Sequence, residues 1–143
     1  MKKLVLVLLA TPLLGVAVRA QQEVVYVPSD RATAILQKGG SVVTTPEFAI
    51  SFNRRTGAGQ VEVHDQDTDT FYVLEGEAAV VVGGTMVGGA RTAPNQQRGT
   101  SITGGTTYQL RKGDVIVIPA GVPHWFKDVP ALVVYYTVKV TKP

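Results

Sequence analysis

From Ser41 onward the chain is a succession of short runs rich in Val, Ile, Thr, Tyr and Phe, separated by Gly, Pro, Asn and Asp, and no other feature restricts its fold as much. The runs occupy residues 41–45, 48–54, 60–64, 70–74, 78–82, 106–110, 115–118, 124–127 and 131–140. Most are too short for an ordinary helix and suit strands. The pattern therefore predicts an all-β sandwich or barrel. One short helix is predicted over residues 31–38, with Ser29-Asp30 as the N-cap and Gly39-Gly40 as the stop. Residues 83–105 are dense in glycine around Pro94-Asn95-Gln96-Gln97 and read as a long flexible excursion between two strands.

The N-terminus has a different character. Met1-Lys2-Lys3 is a short positive start, an apolar run extends from Leu4 to Val18, and Val18-Arg19-Ala20 places small residues where a signal peptidase reads them. Residues 1–20 are therefore expected to be a secretory signal peptide cut after Ala20. A spanning helix needs about 20 apolar residues, and Thr11-Pro12 interrupts this run, so no stable membrane anchoring is expected. The mature chain is then one domain, residues 21–143, periplasmic or secreted. Of 14 basic residues against 11 acidic, Lys2, Lys3 and Arg19 fall in the leader, leaving the mature part without formal net charge. Without a basic patch there is no footprint for nucleic acid. The chain has no cysteine, so in a compartment that permits disulfides its stability must come from core burial or a bound metal.

The chemistry concentrates in two segments. Gly113-Asp114-Val115-Ile116-Val117-Ile118-Pro119-Ala120-Gly121-Val122-Pro123-His124 reads as turn, strand, then a Pro-x-Gly turn that delivers a histidine onto the next strand. This resembles the second motif of the cupin superfamily: Gly, five residues, Pro-x-Gly, two residues, His, three residues, Asn, with Asp128 here in the last position. The first cupin motif is His-x-His, three or four residues, Glu, six residues, Gly. Counting back from Gly76 puts its glutamate position at Asp69, its second histidine at His64 and its first at Glu62. Side chains alternate along a strand, so Gln60, Glu62 and His64 share one face. The rival register, with His64 as the first histidine, puts Gln66 second and loses the acid, and is rejected.

The resemblance covers residues 57–140 and implies a double-stranded β-helix, a cupin or jelly-roll barrel, with one short N-terminal helix. It also implies one divalent metal ion inside the barrel, on Glu62, His64, Asp69 and His124; the chain has only these two histidines. Two imidazoles and two carboxylates suit Mn, Fe, Zn or Ni and disfavour Cu(I). Two carboxylates would neutralise the ion and leave a mild Lewis acid. In the competing reading there is no metal, and Arg54, Arg55 or backbone donors hold Glu62 and Asp69, since unpaired carboxylates in an apolar cavity cost several kcal/mol.

Phe71 and Val73 share the face of Asp69 and would line the cavity. One of Tyr135 and Tyr136 faces inward, with either Lys139 or Val138 beside it. Tyr136 and Glu62 are the catalytic candidates, Tyr136 as proton donor or substrate anchor and Glu62 as ligand or general base. Packing is the ordinary alternative for the tyrosine. Trp125 should point away from His124, into strand packing or against the helix. Arg54-Arg55 reads either as a site for an anionic substrate or as a solvated pair, and solvent is expected, as it is for Asp128, while Arg91 and Arg98 in the long loop are placed to reach over the barrel mouth. Two functions follow from the resemblance. One is an exported metal-dependent cupin enzyme acting on a small oxygen-bearing organic substrate, of dioxygenase, isomerase, decarboxylase or lyase type. The other is a non-enzymatic barrel that binds a small ligand. A homodimer is expected on the resemblance alone.

Overall fold

The architecture is organised by one long strand. In the computed structural model, which describes residues 24–142, β4 runs Asp67–Val82, sixteen residues where the sequence suggested two separate strands. Its alternation is plain: Asp67, Asp69, Phe71 and Val73 are buried, and the residues between them are less so. At Gly76 the backbone takes φ 73°, and a Cβ there would lie 1.9 Å from the Leu132 carbonyl oxygen. Only glycine fits, and its conformation bends β4 from one sheet layer into the other without ending it.

The remaining strands are β1 Gly40–Thr44, β2 Phe48–Arg55, β3 Val61–His64, β5 Thr85–Val87, β6 Ala90–Ala93, β7 Gln96–Gly99, β8 Ser101–Thr103, β9 Thr106–Arg111, β10 Val115–Ile118, β11 His124–Asp128 and β12 Val133–Thr141. All pairings are antiparallel. The main sheet has the order β1-β2-β12-β4-β11-β3-β7-β6, with β9 and β10 also on β4. The first half of β4 pairs with β12 and β10, and the second half with β11 and β9, so the sheet curls around a closed interior. The all-β expectation holds. Inside lie Phe71, Val73, Val80, Ile118, Phe126 and Val133, each nearly or wholly buried. Burying an aliphatic or phenyl side chain of this size contributes about 1.5–3 kcal/mol.

The single helix among the described residues, α1, spans Ser29–Lys38. Ser29 starts the helix and does not cap it: Pro28 is the N-cap, no side chain closes the first turn, and the Pro28 carbonyl accepts from Ala32 N at 2.9 Å. Gly39, at φ 75°, stops it as predicted. No helix among the described residues is long and apolar enough to cross a membrane. The predicted signal peptide, residues 1–20, lies outside the described residues.

Residues 83–105 differ from the flexible excursion expected. β5 and β8 form a two-stranded ribbon, and β6 and β7 form a hairpin whose β7 joins the main sheet beside β3. Gln96-Gln97-Arg98-Gly99 contains no β-branched residue, so propensity hides this strand. Polar contacts hold it: Asp65 accepts from Arg91 Nη1 at 2.6 Å and Gln97 Nε2 at 2.8 Å, and Asn95 Oδ1 accepts from Gln66 N at 2.6 Å.

Candidate metal centre

Glu62 and His64 project from one face of β3, with Val61 and Val63 buried on the other. His124 opens β11 directly opposite Glu62, and Arg98 on β7 pairs with Glu62 from the other side. A row His124, Glu62, Arg98 thus crosses three adjacent strands. On the facing layer Asp69 of β4 stands opposite Lys139 of β12. The Pro-x-Gly turn is pinned to this site, since Gly121, at φ 80°, donates its N–H to the His64 carbonyl at 2.8 Å.

The structure brings all four predicted ligand positions together. The Glu62, His64 and His124 ligand atoms lie within 4.8 Å of one another. Glu62 Oε2 is 3.8 Å from His64 Nε2 and 3.9 Å from His124 Nε2, and Asp69 Oδ2 is 3.3 and 3.6 Å from the same two nitrogens. Each carboxylate is divided: Glu62 Oε1 meets Arg98 Nη1 at 2.9 Å, and Asp69 Oδ1 meets Lys139 Nζ at 2.5 Å. Arg98 and Lys139 thus take the place of the Arg54, Arg55 and backbone partners weighed from sequence. Burial opposes the charge of Asp69, yet His64 and Lys139 together hold its carboxyl below the ordinary range.

His124 is 3% exposed, and burial pushes its pKa down, which favours the neutral ring. Its Nδ1 lies 3.2 Å from the Val122 carbonyl, which fits an Nδ1–H donor. Nε2 is then the lone-pair nitrogen, buried and without a hydrogen-bond partner. That orphaned acceptor, with His64 Nε2 and two carboxylate oxygens around it, is the donor set a divalent cation fits.

The tyrosine expectation is corrected. Tyr136 turns outward, its ring 5.6 Å from that of Phe52 and its surroundings an apolar groove with Val25, Val42 and Ile50. Tyr135 faces the interior instead, with Thr137 and Lys139. Tyr135 pairs with buried Val73 of β4 and with cavity-lining Asn53 of β2, which sets this phase, and two adjacent tyrosines carry no sign of it in sequence. The second correction concerns Arg55. Arg54 is exposed as expected, but Arg55 lines the cavity, donating Nε–H to Tyr135 Oη at 2.9 Å. The alternation Ser51, Asn53, Arg55 on β2, with Ile50, Phe52 and Arg54 on the opposite face, is the signal that reveals it: the polar face points in. Burial raises the Tyr135 pKa, against the influence of Arg55, so the phenol stays protonated. Trp125 turns away from His124 and donates Nε1–H to the Gly59 carbonyl at 2.8 Å. The space enclosed is about 290 Å³.

The turns and strands that place these groups lie within residues 48–143, the span matched by the family model described as "Cupin". The chain is a cupin. Its curled sheet is the double-stranded β-helix of that family. This cupin superposes on the Schizosaccharomyces pombe Cnp3 cupin domain with a TM-score of 0.53 at 18% identity, over 73% of this chain and 64% of that one, just under two thirds of its length. It matches the TT1209 protein of Thermus thermophilus with a TM-score of 0.51 at 21% identity, over 75% and 87% of the two chains. It matches KdgF of a Halomonas species with 0.53 at 16% identity, over 73% and 78%. At these identities the likeness speaks for the fold alone. No curated protein matches the chain by sequence. Cupins commonly bind a metal, and this one carries a Glu/His/His cluster of suitable size with Asp69 beside it.

Proposed function

We propose that this cupin is an exported metal-dependent enzyme that acts on a small oxygen-bearing organic substrate. The observation that carries the reading is the partnerless Nε2 of His124, buried among a second imidazole and two carboxylate oxygens. Glu62, His64, Asp69 and His124 would hold one divalent ion. Mn, Fe, Zn or Ni bound there would supply Lewis acidity, and Fe or Mn also redox reactivity, which fits the dioxygenase, isomerase, decarboxylase and lyase types.

The protein's own groups refine the picture. Arg98 and Lys139 orient the two carboxylates and offset their charge, so the site remains more electrophilic than two free carboxylates would leave it. Clamped by Arg98, Glu62 serves better as a fixed ligand than as a mobile base. Tyr135 takes the role expected of Tyr136. With Arg55 donating to its oxygen, the phenolic O–H is free to donate a proton into the cavity. The alternative reading, a barrel that holds a small ligand without turnover, draws on one fact: both carboxylates already have cationic partners.

Metal analysis by plasma mass spectrometry on protein purified without chelator or affinity metal tests the reading. About one equivalent of ion per chain is expected, and none in His64→Ala or His124→Ala. No uptake after reconstitution with each of the four ions would leave the ligand-holding barrel. The leader-like start supports export and cleavage after Ala20, which N-terminal sequencing of the secreted protein checks. Family membership supports a homodimer.

A further inference from the structure

Three cationic side chains line the cavity, and two have a carboxylate partner: Arg98 has Glu62 and Lys139 has Asp69. Among the described residues, none lies within salt-bridge distance of Arg55. Yet Arg55 is not a solvent side chain. Its guanidinium carbon sits 4.7 Å above the centre of the Phe126 ring, and Nε donates to Tyr135 Oη at 2.9 Å. On another side is Gly59, where any Cβ would lie 2.7 Å from Arg55 Nη1. Gly59 is itself stitched to β11, its N–H donating to the Phe126 carbonyl at 2.9 Å and its carbonyl accepting from Trp125 at 2.8 Å. A side chain at Gly59 would crowd the guanidinium, which lies between a ring face and a backbone.

Fixing so long a side chain costs rotamer entropy, and the Phe126 face offsets only part of the missing counter-charge, so the half-buried guanidinium is left ready to take an anion. A guanidinium offers a planar fork that matches a carboxylate with two parallel hydrogen bonds. We propose that Arg55 docks the carboxylate of a small organic anion whose second oxygen reaches the Glu62, His64, Asp69 and His124 cluster. The clause about the second oxygen rests on the metal reading above; the carboxylate contact does not. One uncompensated cation favours a single negative charge over a dianionic phosphate. Between Arg55 and His124 run Phe126 and Phe71, with ring centres 5.7 Å apart and Phe71 6.2 Å from His124, a wall for a short carbon skeleton. The cavity of about 290 Å³ suits a small acid.

The test is titration of the mature protein, metal-free and metal-loaded, with hydroxycarboxylates from glycolate to γ-hydroxybutyrate, with the corresponding amides and with inorganic phosphate. Calorimetry gives affinities, and the NMR signal of the Arg55 Nε–H, assigned by its loss in Arg55→Lys, reports the contact. At least one hydroxycarboxylate is expected to shift that signal in both forms and to bind tenfold tighter with metal. Its amide and phosphate should bind at least tenfold more weakly than the acid. Arg55→Gln should lose tenfold or more in acid affinity while its metal stoichiometry is unchanged; if that variant does not fold, the acid-to-amide ratio and the Arg55 signal of the wild type decide. An unmoved Arg55 signal, equal binding of acid and amide, or tighter binding of phosphate overturns the proposal. A protein that takes up no metal yet binds the acid through Arg55 removes the metal reading and keeps this one. A protein that takes up metal but shows no Arg55 contact does the reverse.

Discussion

Lys139 shows how much a single side chain decides here. It reaches Asp69 at 2.5 Å and Asp67 at 3.6 Å from a strand face shared with Tyr135 and Thr137. Lys139→Met removes the cation from a nearly buried carboxylate, and breaking such a pair costs about 3 kcal/mol. Urea denaturation of the metal-free protein should show that loss, and metal loading should recover part of it, since an ion held at the proposed centre would meet the same carboxylate. Residues of this kind are only half legible. The ligand positions follow from motif spacing because the turns fix the count between them. Which of Tyr135 and Tyr136 points inward depends on their pairing with β2 and β4, and Arg55 was hidden by the general habit of paired arginines to lie in solvent.

At the scale of elements, the bend of β4 carries the sharpest expectation. Gly76→Ala combines φ 73° with a Cβ 1.9 Å from the Leu132 carbonyl oxygen, so it should cost more than about 4 kcal/mol or prevent folding. Gly113→Ala has φ 92° but nothing within 4 Å of its Cβ, and should cost only the backbone penalty of about 1–2 kcal/mol. Chemical denaturation of the two variants separates the two effects, and similar losses would refute the clash. In the β6–β7 hairpin, Asp65→Ala removes the acceptor for Arg91 and Gln97. Hydrogen exchange should then quicken at the Gln97 and Gly99 amides and stay unchanged on β9. Hydrophobic runs announced most of the strands, but not this hairpin, which is held by side chain polarity and backbone pairing. Gly76 read as a break between strands because a glycine that bends a strand and one that ends it look alike in sequence.

For the whole molecule, stability should be tied to the ion. With no cysteine to crosslink it, the barrel draws on its interior and on whatever binds the centre. Free ion at about 100 times its dissociation constant should stabilise the wild type by about 2.7 kcal/mol, and His124→Ala should show no such gain. Thermal unfolding with and without ion measures both. The fold class was legible at this scale because the strand pattern and the two motif turns run through nearly all of residues 41–141. The interior charge balance was not, since it depends on Arg98 and Lys139 arriving from opposite layers.

The row of His124, Glu62 and Arg98 across three strands makes the chemistry sensitive to chain length far from the histidines. A codon gained or lost between Ala93 and Gln96 that slides β7 by one step sets Gln97 or Gly99 opposite Glu62 in place of the guanidinium. A single codon in a surface hairpin would therefore rewrite the electrostatics of the centre in one event, without touching a histidine.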